Sequence, residues 1–443
     1  MNIRLSDHFT YKKLLRFCLA PIVMMVFTSI YGVVDGLFVS NFVGKTSFAA
    51  INLVMPFIMI LGGVGFMLGT GGSALVAKTL GEGRKEDASR YFTMTVKLTL
   101  FSGAALTIIG TAGIRPIAYL LGATDAMIGE CVVYGRTVLL FNAAFMLQNV
   151  FQTFLAVAEK PKLGLFSTIA AGITNMALDA LFIAGLEWGV AGAALATGLS
   201  QCVGGILPLL YFLRPNSSLL RLTKSGFDGV VLLKACANGS SELMTNISSS
   251  VVSMLYNFQL MKYAGENGVA AYGVLMYVQF IFAAVFIGYT IGSAPIVSYH
   301  YGADNHAELK NMLTKSLLLM SITGCIMTVL AQLCSAPLAK IFVGYDAELY
   351  DMTRHAFRLF SLSFILTGVN IFSSSFFTAL NNGGVSAAIS FLRTLVFQML
   401  SVLALPVFFG LDGIWWAAAA AEAFACVISI AFLLAKRKKY HYL

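Results

Sequence analysis

Charged side chains are scarce in this chain of 443 residues, where Asp, Glu, Lys and Arg together make up 11%, against roughly 25% in ordinary soluble domains. Apolar residues make up 58%. A soluble fold of this length does not need so much apolar surface. A polytopic membrane protein does, because lipid solvates apolar side chains and each helical crossing takes roughly 20 of them. The composition therefore predicts an all-α polytopic membrane protein.

Metal, nucleotide and hydrolytic motifs are missing as well. The seven cysteines and five histidines are scattered without paired or metal-ligand spacing, so neither a disulfide framework nor a metal site is predicted. Gly44-Lys45-Thr46 imitates the end of a phosphate loop, but the glycine needed five positions earlier is Val39. No HExxH or GxSxG sequence occurs, and no basic patch interleaves with aromatic residues. We therefore predict no enzyme, no ATP-driven pump and no nucleic-acid partner.

Long apolar runs, separated by short polar or Gly/Pro-marked segments, give twelve candidate transmembrane helices. Because the number is even, both termini are expected on the same side of the lipid bilayer. The predicted spans lie near residues 14–39, 48–76, 92–112, 132–157, 163–185, 190–213, 231–260, 268–296, 312–334, 354–380, 385–409 and 411–435.

Basic residues are distributed unevenly between the two faces of this arrangement. Of the 29 Lys and Arg residues, 19 fall in tails and loops on the side of the termini, and only four fall in loops of the other side. Loops rich in Lys and Arg face the cytoplasm. We therefore expect a multi-pass protein of the cell (inner) membrane with both termini cytoplasmic.

The second half of the chain repeats the first at an offset of 221 residues, which aligns Gly71 with Gly292 and Gly81 with Gly302. Two six-helix repeats that enter from the same side are related by a pseudo-two-fold axis along the membrane normal, with a substrate site between them near the midplane. We expect an N-terminal lobe (1–213), a cytoplasmic linker (214–229) and a C-terminal lobe (230–443) with a basic tail. Other aligned pairs are Asp125 with Asp346, Asn149 with Asn370, Gly189 with Gly410, and Gly192 with Gly413.

Two carboxylates, Asp35 and Asp179, lie inside predicted spans of the first lobe. Ionisable groups at membrane depth are unfavourable, so they are functional candidates. Asn175 shares a helix face with Asp179, and Asn149 shares one with Gln152. Two carboxylates with neighbouring amides can hold a proton or a small cation such as Na+. The alternative is that Asp35 reaches the membrane interface from a helix end while Asn175 only caps or packs.

The second lobe lacks both acids, because the offset pairs Asp35 with Tyr256 and Asp179 with Leu400. We therefore expect the coupling ion to bind in the first lobe only. The second lobe has charges of its own, Glu242, Glu422 and Arg393. Glu242 either meets a cationic substrate or pairs with a basic group; the sequence leaves both interpretations open.

Pro21 lies inside the first predicted helix, where a proline frees a backbone carbonyl and permits a bend. Such a bend would move the helix that carries Asp35, although a static kink is an equal alternative. We place the substrate cavity between the lobes. Its predicted lining residues are Tyr31, Gln152, Glu242, Tyr256 and Asn370.

Taken together, these features resemble the multidrug and toxic-compound extrusion (MATE) family of antiporters over the whole chain. Besides the twelve spans and the repeat, the resemblance is carried by Asp35-Gly36-Leu37-Phe38-Val39, by the Gly-rich second span and by the loop 82–87. It implies that a polar network in the N-terminal lobe binds H+ or Na+, and that the first helix bends when this network is protonated, which would involve Pro21. The matching network residues are Asp35, Asn149, Asn175, Asp179 and Thr197.

The sequence departs from the family pattern at two places. Residues 156–161 read Ala-Val-Ala-Glu-Lys-Pro where the family often has Arg-Ala-x-Gly-x-Pro, and Gln152 stands where Asn is common. The tenth span carries Asn370 but no acid, so the C-terminal cation site of the sodium-driven branch is not expected. This difference favours H+ over Na+ as the coupling ion.

We therefore predict a monomeric cation-coupled antiporter without a cofactor, which exports amphipathic organic cations, drugs or toxic compounds by alternating access. The alternatives are a dedicated exporter of one secondary metabolite and a flippase for a lipid-linked precursor on the same fold. A membrane enzyme is less favoured because no cluster of catalytic residues occurs at the interface. A channel would leak without exchange.

Overall fold

A computed structural model describes residues 3–43, 45–344 and 346–442, and within these ranges the chain forms helices and no strand. Gly44, part of the phosphate-loop imitation, lies outside the described residues. A π-helical segment, Ala180–Gly185, continues α6; another, Leu392–Val396, joins α12 to α13; and a 3-10 turn, Ser361–Ser363, joins α10 to α11. The helices are α1 (Tyr11–Phe42), α2 (Lys45–Gly81), α3 (Lys85–Leu120), α4 (Ile128–Leu140), α5 (Asn142–Val157), α6 (Pro161–Asp179), α7 (Gly189–Leu213), α8 (Gly229–Gly302), α9 (His306–Val343), α10 (Ala347–Phe360), α11 (Phe364–Ala379), α12 (Gly383–Phe391), α13 (Phe397–Phe409) and α14 (Leu411–Tyr440).

Ten helical stretches of the described chain are long and apolar enough to cross a membrane, and the pair α4 and α5, bent by 53°, supplies another. The 74 residues of α8 would run about 110 Å as one helix, against a bilayer of about 45 Å. Gly265 interrupts α8 with φ 61° and ψ −150°, a conformation that glycine adopts readily. α8 is therefore two spans, and the prediction of twelve spans is confirmed.

Polar side chains at several helix starts decide where these helices begin. Thr10, Asp228 and Asp346 accept hydrogen bonds from first-turn N–H groups of α1, α8 and α10, donors that have no partner within the helix. The helices therefore begin several residues before the predicted spans, which were placed from apolar runs alone. Each predicted span still lies in an observed helical stretch, to within one residue.

The two halves of the chain meet through glycines whose contacts repeat at the 221-residue offset. Gly81 on α2 lies against the backbone of Tyr299 on α8, and Gly302 on α8 lies against the backbone of Lys78 on α2. Lys78 and Tyr299 are themselves offset counterparts. Reciprocal contacts of this kind are what a two-fold axis produces, so the predicted pseudo-two-fold is confirmed. A second reciprocal set consists of Gly71 against Gly239, and Gly292 against Cys18.

Buried apolar residues form four clusters that differ in which half supplies them. In one cluster the buried residues come from both halves, and in another the half-buried Cys236 and Tyr299 of the second half pack against buried residues of the first. They lie toward the end of the bundle that carries the tails and the turns 82–84 and 303–305, which we call the basic end. The other two lie toward the opposite end and come from one half each, from residues 39–194 or from residues 252–418. The halves therefore share a core at the basic end and separate toward the opposite end.

The segment that joins the halves, residues 214–228, is extended and is bound along α3. Two α3 hydroxyls accept backbone N–H groups at 3.4 and 3.0 Å, and an α3 lysine donates to a backbone carbonyl at 3.0 Å. Helix positions four apart thus bind alternate residues of an extended chain. The predicted linker is therefore held by the first half. The pairs are Ser89 with Arg221, Thr93 with Thr223, and Lys97 with Ser225.

Candidate functional site

The two acids of the first half lie on neighbouring helices, Asp35 on α1 and Asp179 at the end of α6. Asp179 is fully buried. Neither of its carboxylate oxygens, nor Oδ1 of Asp35, has a hydrogen-bond donor within the described part of the chain. The helix widens into a π-helix directly after Asp179, a distortion that is frequent at functional sites. A buried carboxylate without a donor is unfavourable unless it binds a proton or a cation.

Asp35 and Asp179 lie close enough for each carboxyl group to act on the charge of the other, and Asn175 lies close to Asp35. An ionised carboxylate only accepts hydrogen bonds, so the two carboxyl groups can bond to each other only when one carries a proton. If both are ionised they repel, and the low-dielectric interior strengthens this repulsion. The pair can therefore hold one shared proton, or a monovalent cation between its oxygens.

Two tyrosines flank this acid pair. Tyr31, one turn before Asp35 on α1, interacts with both Asp35 and Gln148. Tyr134 on α4 is buried close to both acids. The sequence predicts Tyr31 as a cavity residue but indicates neither Tyr134 nor Gln148. Neither is charged at neutral pH and neither lies on the helix of Asp35 or of Asp179, so only a polar group inside an apolar run could have indicated them.

The other predicted members of the network lie on adjoining helices. Asn149 is buried on α5, where its backbone carbonyl faces Gly69 of α2, and its amide nitrogen has no acceptor among the described residues. Thr197 is half-buried on α7. Gln152, predicted for the substrate cavity, is buried one turn after Asn149. The structure thus joins Asn175 directly to the acids and places Asn149 and Thr197 on the helices beside them.

Pro21 lies where α1 changes its neighbours. Before it, Phe17 belongs to a buried cluster built mainly by the second half. After it, Met24 contacts Gly164 of α6 in the first half, while Gly288 of the second half lies against the Pro21 carbonyl. A proline removes one hydrogen bond of the helix. The helix can therefore bend at the point where its packing passes from one half to the other.

In the second half, Arg393 and Glu422 form a buried ion pair. Arg393 donates from Nε to both carboxylate oxygens of Glu422, at 2.9 and 3.1 Å, and from Nη2 to Oε1 at 2.8 Å. Asn370 donates to Oε2 of Glu422 at 2.6 Å and accepts from Ser429 at 3.2 Å. The sequence indicates these charges but not their pairing, because they lie on different helices. The charge of Glu422 is therefore neutralised within the protein.

The predicted cavity residues of the second half lie in different surroundings. Asn370 is fully buried beside the ion pair. Tyr256, also buried, donates to Gln398 Oε1 at 3.0 Å and stacks on Tyr272. Both side chains thus point into the second half. Glu242 is half-buried on α8 and takes part in none of the ion pairs of the described residues. Arg393 lies close enough to act on its charge, but the guanidinium of Arg393 is bonded to Glu422.

The chemistry of the donor atoms limits which ion the first half can bind. The described residues contain no group of three or more His, Cys, Asp and Glu side chains arranged for a metal ion. Asp35, Asn175 and Asp179 offer only carboxylate and amide oxygens. Such oxygens suit a proton or a hard cation such as Na+ and do not suit a soft transition metal.

Comparison with known proteins gives three kinds of similarity. The family model described as MatE matches residues 21–181 and again 243–403, two stretches at the offset of the internal repeat to within one residue. The chain is 23% identical over 436 residues to the multidrug export protein MepA of Staphylococcus saprophyticus subsp. saprophyticus, which covers 96% of this chain and 94% of that protein.

Among solved structures, the chain is similar to an outward-facing conformation of a multidrug resistance MATE family transporter of the MOP superfamily. The TM-score is 0.91 at 22% identity, with 97% of this chain and 96% of that chain covered. It is equally similar to MATE in the straight conformation, with a TM-score of 0.91 at 22% identity over 98% of this chain and 97% of that chain. These two structures share the fold described above.

Proposed function

Because the chain belongs to the MatE family, as its resemblance predicted, we propose that it is a cation-coupled exporter of small molecules, with H+ favoured over Na+ as the coupling ion. Its similarity to a multidrug export protein supports drugs or toxic compounds as substrates. We propose amphipathic organic cations in particular. It is a multi-pass membrane protein. We propose a location in the cell (inner) membrane, cytoplasmic termini and a monomeric state.

The observation that carries this proposal is the acid pair of the first half. Asp35 and Asp179 interact inside the bundle while three of their oxygens lack a donor among the described residues. A proton that binds between them removes their repulsion, so the free energy of the site depends on whether the ion is bound. A ligand shifts a conformational equilibrium when it binds one state better than the other. We propose that proton binding and release drive the transport cycle in this way.

Alternating access is supported by the way the two halves pack. They share buried clusters at the basic end and form separate clusters toward the opposite end. We propose that the basic end faces the cytoplasm and that this arrangement is open to the outside. To reverse it, the glycine contacts at the basic end must part while the opposite end closes. A bend at Pro21 would let α1 follow both halves during that motion.

We propose that the substrate binds between the two lobes, against Glu242 and Tyr31. Glu242 forms none of the described ion pairs, and the nearby Arg393 is bonded to Glu422, so the carboxylate of Glu242 can meet an organic cation. An aromatic ring such as that of Tyr31 attracts cations through its face. Gln152 belongs to the same proposed surface. We assign Asn370 and Tyr256 the role of holding the inner surface of the second lobe, because both are buried.

Reconstitution into proteoliposomes with imposed ion gradients tests this function. We expect the wild-type protein to move a fluorescent organic cation in exchange for H+ when a pH gradient is imposed. Asp35→Asn keeps the size of the side chain but cannot share a proton with Asp179, so it is expected to abolish gradient-driven efflux while membrane insertion stays intact.

The matched control is Asp125→Asn, which alters an acid at an exposed contact with Tyr119 and is expected to transport normally. Efflux retained by Asp35→Asn under a pH gradient would refute the assigned coupling site. Transport that follows a Na+ gradient and ignores a pH gradient would replace H+ with Na+.

A further inference from the structure

The segment before α1, residues 3–10, is bound by carboxylates from both halves at the basic end. Glu159 of the first half accepts the backbone N–H of Leu5 at 2.6 Å. Glu308 of the second half accepts the N–H of Phe9 at 2.9 Å, and its other oxygen bonds Nδ1 of His8 at 2.7 Å. The two bound N–H groups are four residues apart. This segment, which we call the N-terminal clasp, therefore connects the two halves directly.

The second half holds the clasp through one face of α9. Besides Glu308, the side chains of Asn311 and Lys315 donate to the backbone carbonyl of Phe9, at 3.0 and 2.7 Å. These three positions lie on the same side of the helix. The side chain of Phe9 is fully buried in a cluster shared with the second half, and so is that of Leu5. Three polar groups thus fix the single residue Phe9.

The first half holds the clasp by the carboxylate of Glu159, which lies in the turn between α5 and α6. Its backbone is left-handed, with φ 58°, a conformation that glycine adopts freely and other residues adopt at a strain of about 1 kcal/mol. It occupies the glycine position of the Arg-Ala-x-Gly-x-Pro pattern noted above. The strained residue Glu159 places its carboxylate against the backbone N–H of Leu5. The backbone strain is therefore accompanied by a hydrogen bond that a glycine could not make.

We propose that the N-terminal clasp is a latch that keeps the basic end closed, and that the bond from Leu5 to Glu159 is the one that opens. Phe9 is held by three side chains of α9, whereas Leu5 is held by a single carboxylate. When the halves part, the clasp stays with the second half together with the first turns of α1, up to the bend at Pro21. This inference rests on the proposed rocking of the lobes.

Hydrogen–deuterium exchange of the full-length protein in lipid nanodiscs tests the latch. Glu159→Gly relieves the left-handed strain and removes the carboxylate, so it is expected to fold well. Loss of a hydrogen bond to a charged group corresponds to a shift of roughly tenfold. We therefore expect roughly tenfold faster exchange in residues 3–10 and in the interface around Gly81 and Gly302. Glu159→Gln keeps an acceptor oxygen and is expected to remain close to wild type.

Two controls separate the latch from the rocking motion. Glu82→Gly removes an acid at the same end whose ion pairs, with Lys78 and Arg84, both lie within the first half, and it is expected to leave exchange of the clasp unchanged. Gly81→Val places a side chain against the backbone of Tyr299 and forces the halves apart without touching the clasp. Faster exchange in Gly81→Val but not in Glu159→Gly would overturn the latch alone. Unchanged exchange at the interface in both variants would overturn the rocking motion as well.

Discussion

Removal of one partner from the Arg393–Glu422 ion pair is expected to destabilise the protein more than removal of both. The two side chains are 16% and 6% exposed, and three hydrogen bonds join them. Loss of one partner from a buried pair leaves the other charge without compensation, at about 3–5 kcal/mol. Glu422→Gln strands the guanidinium, and Arg393→Met leaves the carboxylate with Asn370 alone. The double variant removes both charges and should be close to wild type in stability.

A double-mutant cycle measures this difference. Thermal midpoints of the four proteins are compared in one detergent at one scan rate, because unfolding of such proteins is commonly irreversible. Because each single loss is about 3–5 kcal/mol and the double variant is close to wild type, we expect a coupling energy of about 6 kcal/mol or more between the two sites. The exposed pair of His355 and Asp412, at 2.9 Å with side chains 54% and 51% exposed, is the control and should couple by less than about 1 kcal/mol. Additive losses at Arg393 and Glu422 would refute the reasoning.

Two further predictions concern the linker and the lobe interface. Thr93→Val removes the acceptor of the Thr223 N–H, a loss of about 1 kcal/mol, and should speed tryptic cleavage in residues 221–224 several-fold. Equal cleavage in Thr93→Val and in the exposed control Thr314→Val would contradict the docking of the linker. Gly239→Val meets the backbone of Met67, whereas Gly273→Val meets open space, so only the former should lower the thermal midpoint, by the equivalent of about 1–3 kcal/mol. Equal midpoints would contradict the close contact of the halves.

The fold could be predicted from the sequence because each span is a property of a continuous apolar run and because the repeat is visible in aligned residues. The break in α8 was predicted as well, because Gly265 lies in the gap between the predicted spans 231–260 and 268–296. The features that escaped prediction are those that no apolar run records. The bend between α4 and α5 contains neither proline nor glycine at residues 140–142. The docking of residues 214–228 on α3 depends on hydroxyls that the sequence presents as ordinary helix residues.

The candidate site was predictable only as far as its charges. Asp35 and Asp179 stand out because acids are rare inside apolar runs, and spacing along one helix links Asn175 to Asp179. Contacts between helices carry no sequence periodicity, so Tyr134 and the pairing of Arg393 with Glu422 required the structure. The same holds for the clasp, where Leu5 meets a carboxylate 154 residues away.

The pseudo-two-fold governs the interface between the halves but not their buried charges. A close backbone contact needs only a small residue, and the offset supplies Gly81 and Gly302 alike. Glu422, in contrast, corresponds to Gln201, whose side-chain oxygen has no donor within the described residues. Arg393 corresponds to Gly172. The first half therefore has no guanidinium at the position where the second half carries one.

The rings of Phe27 and Tyr31 occupy the space beside Gly172, and Tyr31 also lies close to Asp35. We propose that this difference separates the roles of the two halves: Arg393 neutralises Glu422 within the protein, whereas the acids of the first half are neutralised only when an ion binds. Only a group whose charge changes during the cycle can transmit the ion gradient to the conformation. The first half is therefore the half whose packing should respond to the coupling ion, and the second half the one that presents a constant charge.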